Sequence, residues 1–394
     1  NKAFSGVYGE DCVFIANGWR SALTSCYMKS MYKPLGIYSN AKVAFCVHNI
    51  AYQGRFPASD FDQLNLPADM KASMAFNDKN IKPVPGPKIN WMKAGFKNSD
   101  KNLTVSPNYA DEITRNASLG VELDGVIRES GGITGIINGM DTVEWNPMTD
   151  KYLDTPYSVD TIEQKKEIKG QLQAEVGLPI NPDEPLCVFV GRREEQMGYD
   201  ILHAALPSIL KEEVQIVVLG TGKKVLEKKL EQLEEVYPDK ARGIVKFNVP
   251  LAHMMTAGAD FFIVPSRFEP CGLIQLHAMR YGTVPVVAST GGLVDTVIDG
   301  VTGFQMGTMD VECEAVEPKD IAAVAAGVKR AIGTHGTPKM DQMIVACMSQ
   351  DLSWAGPAKT WEETLLSMGG PGESGSENIE NDAEAKMPAN VATP

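Results

Sequence analysis

The chain has 394 residues, 43% of them hydrophobic and 22% charged, which places it among globular proteins with room for two sizeable cores. A net charge of −13 and a pI near 5.0 argue against a nucleic-acid surface. No apolar run approaches the ~18 residues of a membrane helix, and seven cysteines without C-x-x-C spacing and five scattered histidines give no zinc or redox motif.

The chain opens at Asn1 without a methionine or targeting segment and enters a strand almost at once, at 12–17. It reads as a piece whose beginning lies elsewhere. Residues 1–152 alternate short apolar runs (12–17, 41–48, 103–106) with helical stretches (22–31, 109–115). Such alternation predicts a parallel sheet with helices on both faces. Cys12 and Cys46 fall in these runs, as Cys187 does later, and read as buried thiols. Val47-His48-Asn49 ends one strand, where a polar side chain points into a sheet-edge crevice. A strand-end histidine can equally be hydrogen-bonded structure. Residues 61–87 are polar, with prolines gathered near their end, and read as an inserted loop. Asp60-Phe61-Asp62 has a D-x-D spacing but reads as a solvated turn. Lys88 and Lys93 around Trp91 read as a solvated amphipathic helix over 89–95. Glycine and an Asn-Pro turn at 139–147 lead to a domain boundary near Tyr152.

Residues 153–353 carry a fuller series of apolar runs, at 186–190, 215–219, 244–247, 261–264 and 284–288, with helices at 171–176 and 225–236. The first two runs end in Gly191-Arg192 and Gly220-Thr221-Gly222, neither of which makes a G-x-G-x-x-G or Walker loop. The stretch 261–304 is strand, glycine loop and helix, twice over. Successive parallel strands put the loops 265–272 and 289–292 along one sheet edge. Two helix N-termini facing one crevice suit a phosphate-bearing ligand. Glu269 is the only carboxylate of the first loop and suits hydroxyls better than phosphate. Together these features suggest a sugar nucleotide, the alternative being an ordinary α/β sheet whose glycines only permit tight turns. Cys271 stands apart from the other thiols, in the site loop. Residues 354–368 suit a closing helix. The Gly-, Ser- and acid-rich 369–394, with Glu373, Glu377, Glu380, Asp382 and Glu384 against Lys386, has the composition of a disordered tail.

SRFEPCGLIQLHAMRYG (266–282) and STGGLVDTV (289–297) resemble the donor-binding segments of starch and glycogen synthases. FCVHNIAYQGRF (45–56), INWMKAG (89–95) and FNVPLAHMMTAGADF (247–261) extend the likeness, which runs from Gly9 to the end of the chain. The resemblance implies an α/β protein of GT-B architecture, with two facing Rossmann-like domains and an interdomain cleft. Residues 1–152 would form the acceptor-side domain, 153–353 the nucleotide-sugar domain, and 354–368 a helix returning to the first. The implied activity is retaining transfer of glucose from ADP-glucose to the non-reducing end of an α-1,4-glucan, a starch synthase making amylose. No cofactor and no metal are implied, ADP-glucose being the donor substrate. The implied partners are a nucleotide sugar and the glucan of a starch granule, with no nucleic acid and no membrane, in a plastid (amyloplast or chloroplast).

Carried onto this chain, the resemblance makes His48 and Asn49, with Tyr52 and Gln53 of the same motif, face the donor sugar. Arg192, beside Gly191 and opposite Gly220, is the cation for the diphosphate. Glu269, with the amides of Cys271, Gly272 and Leu273, orients the glucose, and Thr290, Gly291 and Gly292 line its phosphate or sugar side. His277 stands where related transferases carry a second Glu, and core packing would explain it equally well. Three departures accompany these matches. The family's GRLEEQKG reads GRREEQMG here (191–198), so Met197 occupies a phosphate-lysine position. NDWH reads Asn17-Gly18-Trp19-Arg20, and KTGGL occurs nowhere in these residues. They support a second reading, a catalytically weakened glucan- or nucleotide-binding relative.

Overall fold

The computed structural model describes residues 11–76, 86–192, 194–312 and 315–369. The first domain contains β1 (Val13–Asn17), β2 (Lys42–Val47), β3 (Arg55–Pro57), β4 (Ala75–Phe76), β5 (Lys88–Asn90), β6 (Lys101–Thr104) and β7 (Thr134–Gly135). Four of them form a parallel sheet in the order β1-β2-β6-β7. β2 is buried on both faces, as its unbroken apolar run requires. Its Val43, Phe45 and Val47 pack on Phe96 and Tyr109 of the helices Trp91–Asn98 and Pro107–Arg115. On the other face, Ala44 and Cys46 meet Trp361 and Leu365 of the final helix, Ala355–Leu366. The chain's last helix therefore lies on the first domain's sheet.

Three stretches depart from the expectation. The expected loop at 61–87 buries Phe61, Leu66, Met70 and Met74 against Leu23, Cys26, Ile89 and Ala94. Apolar residues scattered among polar ones fill a small core beneath an antiparallel sheet, β3-β5-β4; residues 77–85 lie outside the described residues. Lys88 to Asn90 are buried strand rather than solvated helix, and the helix begins only at Trp91. Asn90 caps it by accepting the Lys93 N–H at 2.9 Å. The helix expected at 22–31 is broken into a four-residue α-turn, Thr24–Tyr27, and a π-helical turn, Met28–Tyr32. The acidic stretch from 370 onward lies outside the described residues.

The second domain contains β8 (Leu186–Val190), β9 (Gln215–Gly220), β10 (Ala241–Val245), β11 (Phe261–Val264), β12 (Val284–Val287) and β13 (Phe304–Gln305). They are parallel and ordered β10-β9-β8-β11-β12-β13. β10 lies earlier than its apolar run suggested, because Phe247 falls beyond the strand end and is 83% exposed. Alternate residues serve two cores: Cys187 and Phe189 face one helical layer, Leu186 and Val188 the other. From β8 the chain winds outward through β9 to β10, then crosses back to β11 on the far side of β8. The loops leaving β8 and β11 therefore diverge and open a crevice between them.

The segment crossing between the domains is pinned to the second. The Trp145 ring is stacked between His253, at 3.8 Å, and His277, at 3.9 Å. Asp150 accepts from His253 Nδ1 at 2.7 Å and from the Tyr281 hydroxyl at 2.6 Å. His277 is thus a packing residue in this arrangement, and burial lowers its ring to about 3, so it carries no charge at neutral pH.

Candidate active site at the interdomain cleft

Arg192 follows β8 and Glu269 follows β11, so the two side chains flank the crevice where the strand order reverses. Glu269 is half-buried, and burial raises its carboxyl to about 7, while the Gly272 N–H and the charge of Arg192 pull the other way. Arg192 is exposed, 3.6 Å from Glu194. The second glycine loop stacks on the first, backbone against backbone. Gly292 N–H donates to the Glu269 carbonyl at 3.1 Å. Gly291 has φ +47°, and a Cβ there would overlap that same carbonyl oxygen. The loops after β8 and β9 approach as closely, for a Cβ on Gly220 would overlap the Gly191 carbonyl. Gly191, Arg192 and Gly220, with Lys246, Phe247 and Asn248, line a cavity of about 230 Å³.

The first domain faces this group with the end of β2. His48 is exposed, its Nε2 2.8 Å from Asn17 Oδ1 at the end of β1. Asn49 Oδ1 accepts the Ala51 N–H at 3.0 Å and shapes the following turn, and Tyr52 is half exposed. Ile50 N–H donates to the Tyr109 hydroxyl at 3.0 Å. Burial chiefly, then the charges of Glu112 and Glu269, raise that hydroxyl above its ordinary value. The β2 end and Glu269 therefore share one cleft. Between them, Ile50, Ala51, Val121 and Glu122 of the first domain and Phe268 of the second line a further cavity of about 240 Å³.

Other expected site residues are engaged elsewhere. Gln53 is buried; its amide donates to the Val121 carbonyl at 2.9 Å and accepts from Arg55 Nε at 3.0 Å and Asn90 Nδ2 at 2.6 Å. It braces a turn in which Val121 and Glu122 hold positive φ, 46° and 67°. Cys271 is buried and burial pushes its thiol up to about 11, so it is no nucleophile. Met197 ends a 3₁₀ turn and packs on the second domain's core beneath Gly191, rather than projecting into the crevice. Its neighbour Arg193 lies outside the described residues. Gly18 opens the short helix Gly18–Ser21 after β1, with the Arg20 guanidinium 4.8 Å over the Trp19 ring.

The second loop's expected open N–H groups are not open. Gly291 N–H and the Thr290 hydroxyl donate to the Glu112 carboxylate, at 3.0 and 3.2 Å, and Gly292 N–H is taken by Glu269. Among the described residues, the amides of Cys271 and Leu273 have no protein acceptor, so the first loop alone offers open donors beside Glu269. Glu112 and Asp295, which cross between the domains, carry no local sequence signal, although Asp295 lies within STGGLVDTV. Among the described residues no cluster of His, Cys, Asp and Glu is placed to hold a metal ion.

Comparison with known proteins agrees with this geometry. A family model described as the starch synthase catalytic domain matches residues 3–129, and one described as glycosyl transferases group 1 matches 172–335. Granule-bound starch synthase 1, chloroplastic/amyloplastic, of Manihot esculenta is 60% identical over 100% of this chain and 65% of its own length. The protein of that name from Arabidopsis thaliana is 57% identical over 100% and 64%. The chain thus spans about 65% of the length of these curated relatives. Among solved structures, the catalytic domain of starch synthase IV from Arabidopsis thaliana, bound to ADP and acarbose, superposes with a TM-score of 0.77 at 29% identity. That match covers 90% of this chain and 72% of the other. Sucrose-phosphate synthase from Thermosynechococcus elongatus shares the fold, with a TM-score of 0.57 at 18% identity over 93% and 76%. With both family models matched in chain order, and with two parallel sheets facing one cleft, the chain belongs to the starch synthase family of GT-B glycosyltransferases.

Proposed function

We propose that the protein is a starch synthase, a retaining hexosyltransferase that moves glucose from ADP-glucose to the non-reducing end of an α-1,4-glucan. The observation that carries this reading is identity of 57–60% across both domains to relatives named granule-bound starch synthase 1. Such identity favours an active transferase over a weakened binding relative. The site geometry supports a division of labour. The cavity beside Gly191, Gly220 and Phe247 takes the nucleoside, and Arg192 meets the diphosphate, where negative charge grows as the bond to glucose breaks. Glu269 accepts glucose hydroxyls, and the Cys271 and Leu273 amides donate to the sugar or its phosphate. His48 and Asn49 close the sugar from the first domain. Glucan then enters past Ile50, Val121 and Phe268, so its terminal hydroxyl arrives beside Glu269.

On this reading the transfer needs no cofactor, because Arg192 supplies the positive charge a departing diphosphate requires. The plastid is the proposed location, from the chloroplastic/amyloplastic relatives, and the glucan of a starch granule the proposed partner. The test is incorporation of radiolabelled glucose into a maltooligosaccharide by the full-length protein, supplied with ADP-glucose or UDP-glucose. Elongation with ADP-glucose, giving a new α-1,4 linkage by nuclear magnetic resonance, is expected. Absence of elongation with every nucleotide sugar overturns the reading.

A further inference from the structure

Two carboxylates cross the cleft in opposite directions. Asp295, in the second-domain helix Gly292–Thr296, accepts from the Ser106 hydroxyl and from Asn108 N–H, the latter at 3.1 Å. Ser106 is the N-cap of the first-domain helix Pro107–Arg115 and also accepts the Tyr109 N–H at 2.9 Å. From that helix, Glu112 reaches back to the Thr290 hydroxyl and Gly291 N–H, the turn that opens the helix bearing Asp295. Asn108 joins the halves, its Nδ2 donating to Glu112 at 3.0 Å and to the Gly291 carbonyl at 3.3 Å. Each domain therefore satisfies unpaired N–H groups at the start of a helix in the other, where a carboxylate is favoured.

The arrangement acts on the site through one further bond. Gly291 is fixed by the first domain, and its neighbour Gly292 donates to the Glu269 carbonyl. The loop that carries Glu269 thus takes its position from Glu112. Burial and then the donors around it set the state of the Glu112 carboxyl, and the negative charge of Asp295 opposes its ionisation. That repulsion opposes docking. The two contacts depend on each other because both require the same closed arrangement of the domains, with Asn108 bonded to Glu112 and to the Gly291 carbonyl while its own N–H donates to Asp295.

We propose that Glu112 and Asp295 are positioning residues forming a reciprocal clamp, which closes the two domains and registers the Glu269 loop for the donor. The consequence for donor affinity rests on reading the cleft as the nucleotide-sugar site; the closure itself does not. Amide hydrogen exchange of the full-length protein, resolved to single amides and measured without donor, tests the closure. Glu112→Ala removes no bond to Asn108 N–H, and Asp295→Ala removes none to Gly291 N–H. A mutual clamp nonetheless makes each exchange faster by about tenfold, within the usual span of site-to-site coupling. Both variants raise KM for ADP-glucose by about tenfold while kcat at saturating donor falls less than about threefold, since bound donor restores closure. Glu112→Asp recovers part of the loss. If each substitution frees only the amide it touched, the contacts are independent and the clamp is refuted. If the wild type transfers no glucose, the functional reading fails while the exchange measurements still decide the clamp.

Discussion

Glu269→Gln separates charge from shape at the centre of the cleft. The carboxylate lies between the Gly272 N–H and Arg192, and burial raises it to about 7. In the proposed role its ionised form accepts sugar hydroxyls through charge-assisted bonds, each contributing about 1.5–3 kcal/mol. Glutamine keeps the volume and one acceptor but loses the charge. Turnover with ADP-glucose should fall about a hundredfold, while the Kd for ADP, which lacks the glucose that Glu269 is proposed to hold, should move less than about threefold. The pH dependence gives a second signature. Because the ionised form binds the sugar, wild-type kcat/KM should rise as pH increases through about 7, and the variant should lack that limb. Stability runs the other way. A carboxyl raised in the folded state contributes stability that is complete below its ordinary value of 4.5 and is lost as pH rises through about 7. The rise corresponds to about 3 kcal/mol at most, so wild type should lose up to that much relative to the variant across the window. Turnover above about a third of wild type, or an unchanged acid limb in the variant, would refute the role.

Three further outcomes are expected. Gly291→Ala places a Cβ on the Glu269 carbonyl at a left-handed φ; strain of about 1–2 kcal/mol and a shift of about 1 Å in the loop should cut turnover about a hundredfold, and near-normal kinetics would show that the loops can part freely. Asp150→Ala leaves the buried His253 nitrogen and Tyr281 hydroxyl unpaired, costing about 2–5 kcal/mol in urea unfolding, and an unchanged midpoint would exclude the network as a brace for the interdomain crossing. Met197→Lys follows the path of the methionine beneath Gly191 and, if its ammonium emerges there, should raise turnover about tenfold or more; lower stability with unchanged turnover would mean the core retains the side chain.

What the sequence made legible was local. The runs at 186–190 and 261–264 are unbroken and β-branched because both faces of a parallel sheet are covered, and each matches its strand residue for residue. Glu269 could be picked out because acid and glycine fall together at a strand end, whereas the part given to Arg192 rests on the family resemblance. Where character and geometry disagree, local reading failed. Phe247 extends an apolar run past the end of β10, and Lys88 makes a buried strand look solvated. Resemblance to a motif marks a position but not the direction of its side chain, so Gln53 looked like a ligand while its amide braces a strained turn. The deepest gap concerns the two glycine loops, which are alike as sequence. One keeps open amides beside Glu269; the other gives Gly291 N–H and the Thr290 hydroxyl to Glu112, 179 residues from Gly291 along the chain. No periodicity or spacing encodes a partner that distant. The difference between a loop with open amides and a loop that holds the other domain arises only when the two sheets face each other, and there the Glu112 carboxylate takes the donors that the sequence left looking free.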